Sequence, residues 1–115
     1  MKAKIYHNSR CSKSRATLAL LEQRGLDPEI IDYLKHPLKV TEIEDLLSKL
    51  GLPAAELLRT GEAAFRESGL TRESAPADLI ALMAKQPIVI ERPIVVLGAR
   101  ARIGRPPERV LELFA

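Results

Sequence analysis

The sequence predicts an α/β fold, a βαβ unit followed by several helices and then a ββα unit. Two observations carry this. Strand-forming stretches occur only near the two ends, KAKIY and EIIDYL on one side and IVIERPIVVL and RARI on the other. Between them lies a Leu- and Ala-rich stretch broken by Gly61, Gly69 and Pro76, which suits short helices rather than strands.

The first strand, residues 2–6, is short and alternating and runs into a polar loop. Ser12 to Arg24 lacks Gly and Pro and carries Leu18 and Leu21 at helical spacing, and Gly25 stands where a helix C-cap belongs. Cys11 therefore falls at a helix N-terminus. EIIDYL (29–34) is β-branched and aromatic, a second strand, and a β-loop-α-β unit favours a parallel pair with a right-handed crossover. Thr41-Glu42-Ile43-Glu44 has the pattern of a capping box, opening a helix that carries Leu46, Leu47 and Leu50 and stops at Gly51. Residues 54–68 and 77–85 predict two or three more short helices. IVIERPIVVL (88–97) reads as a β-rich run split by Arg92-Pro93. Gly98-Ala99 suits a tight II′ turn into RARI (100–103), and Pro106-Pro107 opens a last helix over 107–114. With the middle helices set aside, the order is thioredoxin-like, with a helical insertion between the two halves.

A chain of 115 residues and 12.7 kDa is expected to form a single domain, 1–115, with one core and no need of disulfide staples. MKAKIYHNSR has no apolar h-region, so no signal peptide is expected, and no apolar run approaches the roughly 20 residues that span a bilayer. A cytoplasmic setting, in which the thiol stays reduced, is the expectation. The net charge of +3 leans on arginine, 11 Arg against 7 Lys. No two Lys or Arg residues are adjacent and only two Tyr and two Phe are present, which argues against nucleic-acid binding.

HNSRCSKSR (7–15) holds the only cysteine, crowded by His7, Arg10, Lys13 and Arg15. A thiol attacks as thiolate, and a free cysteine has a pKa near ~8.5. The unpaired N–H groups and positive dipole end of the following helix lower that value, as do neighbouring cations. The same groups hold an oxyanion. A buried structural thiol is the alternative, but the polar surroundings are unlike a core. His7 by itself reads more simply as a hydrogen-bonding tether, and Lys13 as surface. A thioredoxin CxxC is excluded, since Ser14 stands at the second position. A tyrosine-phosphatase loop is excluded too, because three residues rather than five separate Cys11 from Arg15.

Three distant arginines stand out by context: Arg59 after AAELL, Arg92 before Pro93, and Arg105 in Gly-Arg-Pro. Arg92 is the strongest of them, because a charge inside IVIERPIVV requires an anionic partner or a solvent-facing position. Glu91 is one available partner. Two His and one Cys without ligand spacing fall short of a metal set.

At these residues the sequence resembles the ArsC family, the glutaredoxin-coupled arsenate reductases, and especially its short members. His7, Asn8, Cys11, Ser14 and Arg15 match the family's active-site loop, and LLR (57–59), ERPIVV (91–96) and IGRPPE (103–108) match its distal arginine motifs in order. Ser9 stands where many members carry proline. The resemblance implies a thioredoxin-like fold with a helical insertion, a typically cis Arg92-Pro93 bond, and reduction of arsenate to arsenite. By it, Cys11 is the nucleophile, His7 and Arg15 tune the thiolate, and Arg59, Arg92 and Arg105 bind the oxyanion. It also implies glutathione as co-substrate, glutaredoxin as partner, no bound cofactor or metal, and a role in arsenic detoxification; a monomer is expected. Two other readings share the fold: a glutathione-dependent thiol reductase or deglutathionylase, and an Spx-like RNA polymerase-binding regulator, which usually carries the CxxC absent here.

Overall fold

A computed structural model describes residues 2–115. They fall into two compact units, residues 2–36 with 92–115, and Pro37–Glu91.

The first unit holds a four-stranded sheet in the order β2-β1-β3-β4, where β1 is Lys4–His7, β2 Glu29–Asp32, β3 Ile94–Leu97 and β4 Arg100–Ile103. β1 pairs parallel with β2 and antiparallel with β3, and β3 pairs antiparallel with β4. This is the thioredoxin-like arrangement that the element order predicts. Helix α1, Ser12–Gln23, connects the parallel pair, as a parallel crossover requires. It ends where Gly25 takes a left-handed φ of 75°, and Leu26 N–H returns to the Leu21 carbonyl at 3.1 Å. The β3–β4 hairpin turns on Gly98 at φ 62°. Ala99 does not have positive φ, which fits the expected II′ turn rather than I′. The predicted last helix runs over Pro107–Phe114 as a 3₁₀ helix.

Ile5, Leu21, Val95, Val110 and Leu113, with Ala3, form this unit's core, so α1 and the C-terminal 3₁₀ helix cover the sheet. Each large side chain buried there contributes about 1.5–3 kcal/mol from burial alone. Ile5 lies opposite Val95 in the β1–β3 ladder, and both are fully buried. The contact that joins the two halves of the sheet is therefore also a core contact.

The second unit is helical: α2 Val40–Leu50, α3 Ala63–Glu67, α4 Pro76–Lys85, and 3₁₀ turns at Ala54–Leu57 and Pro87–Val89. Ile43, Leu46 and Leu47 of α2 and Leu79, Ile80 and Met83 of α4 are buried, each set on one helical face, and the two helices pack together.

Two local expectations are corrected. The α2 N-cap is Lys39, not Thr41; the Glu42 carboxylate accepts the Lys39 N–H at 3.0 Å, so the chain turns helical two residues earlier than the Thr41 pattern suggests. The run 88–97 is not one interrupted strand, because only Ile94–Leu97 joins the sheet. Ile90 instead forms an isolated antiparallel bridge with Leu58, Glu91 N–H donates to the Leu57 carbonyl at 2.8 Å, and Arg59 N–H donates to the Val89 carbonyl at 2.7 Å. Pro87 and Pro93 bracket the segment and supply no N–H, which breaks any continuous ladder. The Arg92-Pro93 bond is cis, as the resemblance implies, and Arg105-Pro106 is cis as well.

Among the described residues no helix is long and apolar enough to cross a membrane.

Candidate active site

β1 ends at His7 and the chain turns through Asn8. The Asn8 side-chain oxygen accepts the Arg10 N–H at 3.0 Å, and its carbonyl accepts the Cys11 N–H at 2.9 Å. This compact turn delivers Cys11 to the N-cap of α1 in an extended conformation, φ −94° and ψ 124°. Ser14, fully buried, accepts the Asn8 N–H on its hydroxyl at 3.3 Å and ties the start of the helix back to the turn. Arg15 donates to the Ser9 carbonyl at 2.9 Å, bracing the same loop from its exposed side.

The thiol is partly exposed and its pKa is lowered to about 7. Burial pushes it up, but the Ser14 and Lys13 N–H groups that face the sulfur, together with the Arg92 side chain, outweigh burial. The charge of Arg92 adds to this. Cys11 thus occupies the place of an N-cap acceptor, with sulfur facing the unpaired amides that a Ser or Asp oxygen normally meets, although no conventional side-chain cap bond forms. Arg105 Nη2 lies 3.4 Å from the sulfur, while its Nε donates to the Arg92 carbonyl at 2.8 Å. One edge of that guanidinium is anchored on backbone and another is aimed at the thiol.

Cys11, Arg92 and Arg105 are therefore brought together. Arg92 is only 8% exposed, which rules out the solvent-facing alternative left open by its sequence context. His7 is buried, its Nδ1 has no hydrogen-bond partner, and its pKa is lowered, first by burial and then by Arg15, with Asp32 opposing. Burial thus disfavours the charged form of this imidazole. Arg59 lies in the helical unit, where it donates to Glu91 at 2.8 Å and to Glu62 at 3.4 Å. Glu91, considered above as a partner for Arg92, accepts the Arg59 guanidinium there. The Ser14 and Lys13 amides, at N3 and N2 of the helix that Cys11 caps, are among the unpaired N–H groups that the sequence sets beside the thiol. Among the described residues no group of three or more His, Cys, Asp or Glu side chains is placed to hold a metal.

A thiolate at neutral pH beside two guanidiniums is suited to attack a centre carried by an anion, with the arginines neutralising the oxygens. The family model described as "ArsC family" matches residues 6–113. An arsenate reductase of Neisseria meningitidis is 42% identical over 109 residues, covering 93% of each chain. The Escherichia coli protein YfgD is 49% identical, over 96% of this chain and 94% of its own. Among solved structures, an arsenate reductase from Vibrio cholerae superposes with a TM-score of 0.94 at 46% identity, covering 97% of each chain. With the family model spanning nearly the full length, from the strand before the thiol to the C-terminal 3₁₀ helix, the chain belongs to the ArsC family.

Proposed function

We propose that this protein is an arsenate reductase that draws its electrons from glutathione and glutaredoxin. The observation that carries the reading is the single cysteine, its pKa lowered to about 7, set beside the α1 amides, Arg92 and Arg105. Relatives at 42% identity bear the name arsenate reductase, which supports the same substrate. Cys11 attacks arsenic and displaces an oxygen as water, while Arg92 and Arg105 hold the oxyanion. His7 and Arg15 tune the loop that presents the thiolate.

Arsenate to arsenite is a two-electron reduction, and two thiols that become one disulfide supply both electrons. With no second cysteine in the chain, neither thiol of that pair can be an internal resolving group. Glutathione attacks arsenic in the Cys11 adduct and displaces a second oxygen, which leaves as water with the glutathione proton. A glutaredoxin thiol then takes the glutathione sulfur as a mixed disulfide, leaving arsenic reduced on Cys11. Water releases arsenite and returns the proton to the thiol. The protein works as a cytoplasmic monomer without a bound cofactor.

The test is arsenite production by the purified protein. Glutathione with glutaredoxin sustains turnover, thioredoxin with its reductase does not, and Cys11→Ser abolishes it. Robust multiple turnover with thioredoxin as the only thiol source would overturn the scheme.

A further inference from the structure

Gly104 lies one residue before Arg105, at the end of β4. It does not need a left-handed φ; what distinguishes it is space. A Cβ built there would meet Thr17 Oγ1 at 2.5 Å, Pro93 Cγ at 2.9 Å and Thr17 Cγ2 at 3.3 Å. None of these atoms can swing away cheaply. Thr17 is fully buried on α1, and Pro93 is a ring closed on its own backbone. The Thr17 hydroxyl has no hydrogen-bond partner, so its oxygen is held against Gly104 by packing alone. Gly104 N–H also donates to the Pro93 carbonyl at 2.9 Å.

From this contact we infer that Gly104, seated against Thr17 and Pro93, is a positioning residue that sets Arg92 and Arg105 on the Cys11 sulfur. Thr17 stands six residues along α1 from Cys11, Pro93 follows Arg92, and Gly104 precedes Arg105. The three meeting points thus belong to the three segments that carry the thiol and its two guanidiniums. The Arg105 Nε bond to the Arg92 carbonyl, 2.8 Å long, locks the two arginine segments together, so displacing one displaces both. A sulfur contact of 3.4 Å has little slack, and a shift of several tenths of an ångström weakens it. The inference deepens the proposed reaction by naming what holds its anion-binding groups in place, but the contact itself does not depend on the substrate.

The experiment is the pH dependence of iodoacetamide alkylation at Cys11, with circular dichroism and urea unfolding as controls for folding. Gly104→Ala raises the inflection by about half a unit or more; at pH 6 this cuts the thiolate fraction about threefold and, with the gain in nucleophilicity of a more basic thiolate, slows alkylation about twofold. Adding Thr17→Ala removes two of the three crowding atoms and moves the inflection part of the way back. In a chain carrying Arg92→Met and Arg105→Met, Gly104→Ala leaves the inflection unmoved, because nothing remains for it to position. A folded Gly104→Ala protein with the wild-type profile overturns the inference, as does an equal rise in the chain lacking both arginines. Should Gly104→Ala alone not fold, the double variant Thr17→Ala/Gly104→Ala decides: an inflection between wild type and the free thiol supports the inference, and a folded protein at the free-thiol value overturns it. Alkylation needs no arsenate, so failure of arsenate turnover leaves this result readable.

Discussion

Replacing Arg92 with methionine isolates the contribution of one distant guanidinium to the thiol. Methionine keeps much of the length and tolerates a site that is 8% exposed, but it removes both the hydrogen bond and the charge. Arg92 acts on the Cys11 sulfur in both ways, while the Ser14 and Lys13 amides remain in the variant and burial continues to push the pKa up. An opposite charge at contact is worth at least about one pH unit, so the inflection moves from about 7 to about 8. At pH 6.5 the thiolate fraction then falls from about one quarter to about 3%, roughly eightfold. The more basic thiolate is intrinsically about threefold more nucleophilic at a Brønsted slope of about 0.4–0.5. The net result is a rate about threefold lower at pH 6.5 and a plateau about threefold higher above pH 9. The two profiles therefore cross; an unfolded chain would cross too, with its inflection at the free-thiol value, so circular dichroism confirms that the variant is folded. Stopped alkylation followed by mass spectrometry from pH 5 to 10 measures both limbs. An inflection that stays near 7 in a folded variant would refute the assignment of Arg92 to the thiol.

Other outcomes follow from the same geometry. Arg105→Lys keeps the charge but loses the fork that binds the Arg92 carbonyl and the sulfur at once. Sulfate should then protect Cys11 from alkylation less well, by on the order of tenfold in concentration, and undiminished protection removes Arg105 from the anion site. The folded pKa of Cys11, about 7, lies below its unfolded value, so the thiolate's contribution to stability is fully present above that unfolded value and is lost as pH falls through about 7. Urea midpoints of wild type and Cys11→Ser should diverge in favour of wild type as pH rises from 6 to 9, and a constant gap contradicts the lowered pKa. Glu91→Gln breaks a partly exposed pair with Arg59 and should cost about 0.5–1 kcal/mol in urea unfolding, less at high salt, whereas a salt-independent loss would mean the pair is not acting through charge.

What the sequence determined by itself was local. Cys11 at a helix start could be read from the polar loop and the Gly- and Pro-free stretch after it. The hairpin could be read from Gly98-Ala99, and the last helix from its prolines, because cap and turn chemistry acts over three or four residues. The family likeness was legible for a related reason: each motif is a short pattern. Which groups meet the thiol was a different matter. The sequence crowds His7, Arg10, Lys13 and Arg15 around Cys11 without showing which side chains point inward. In the fold, burial disfavours the charged form of His7, Arg15 binds the Ser9 carbonyl, and Lys13 contributes its amide. The guanidinium contacts come instead from Arg92 and from Arg105, 94 positions away. Residues 88–91 have strand composition but pair with 57–59, since β-branched content says a segment is extended and not which edge it joins. The need for Gly104 is of the same kind: no periodicity marks it, because the atoms that exclude a side chain there belong to Thr17 and Pro93, brought against it only when the sheet and α1 close together.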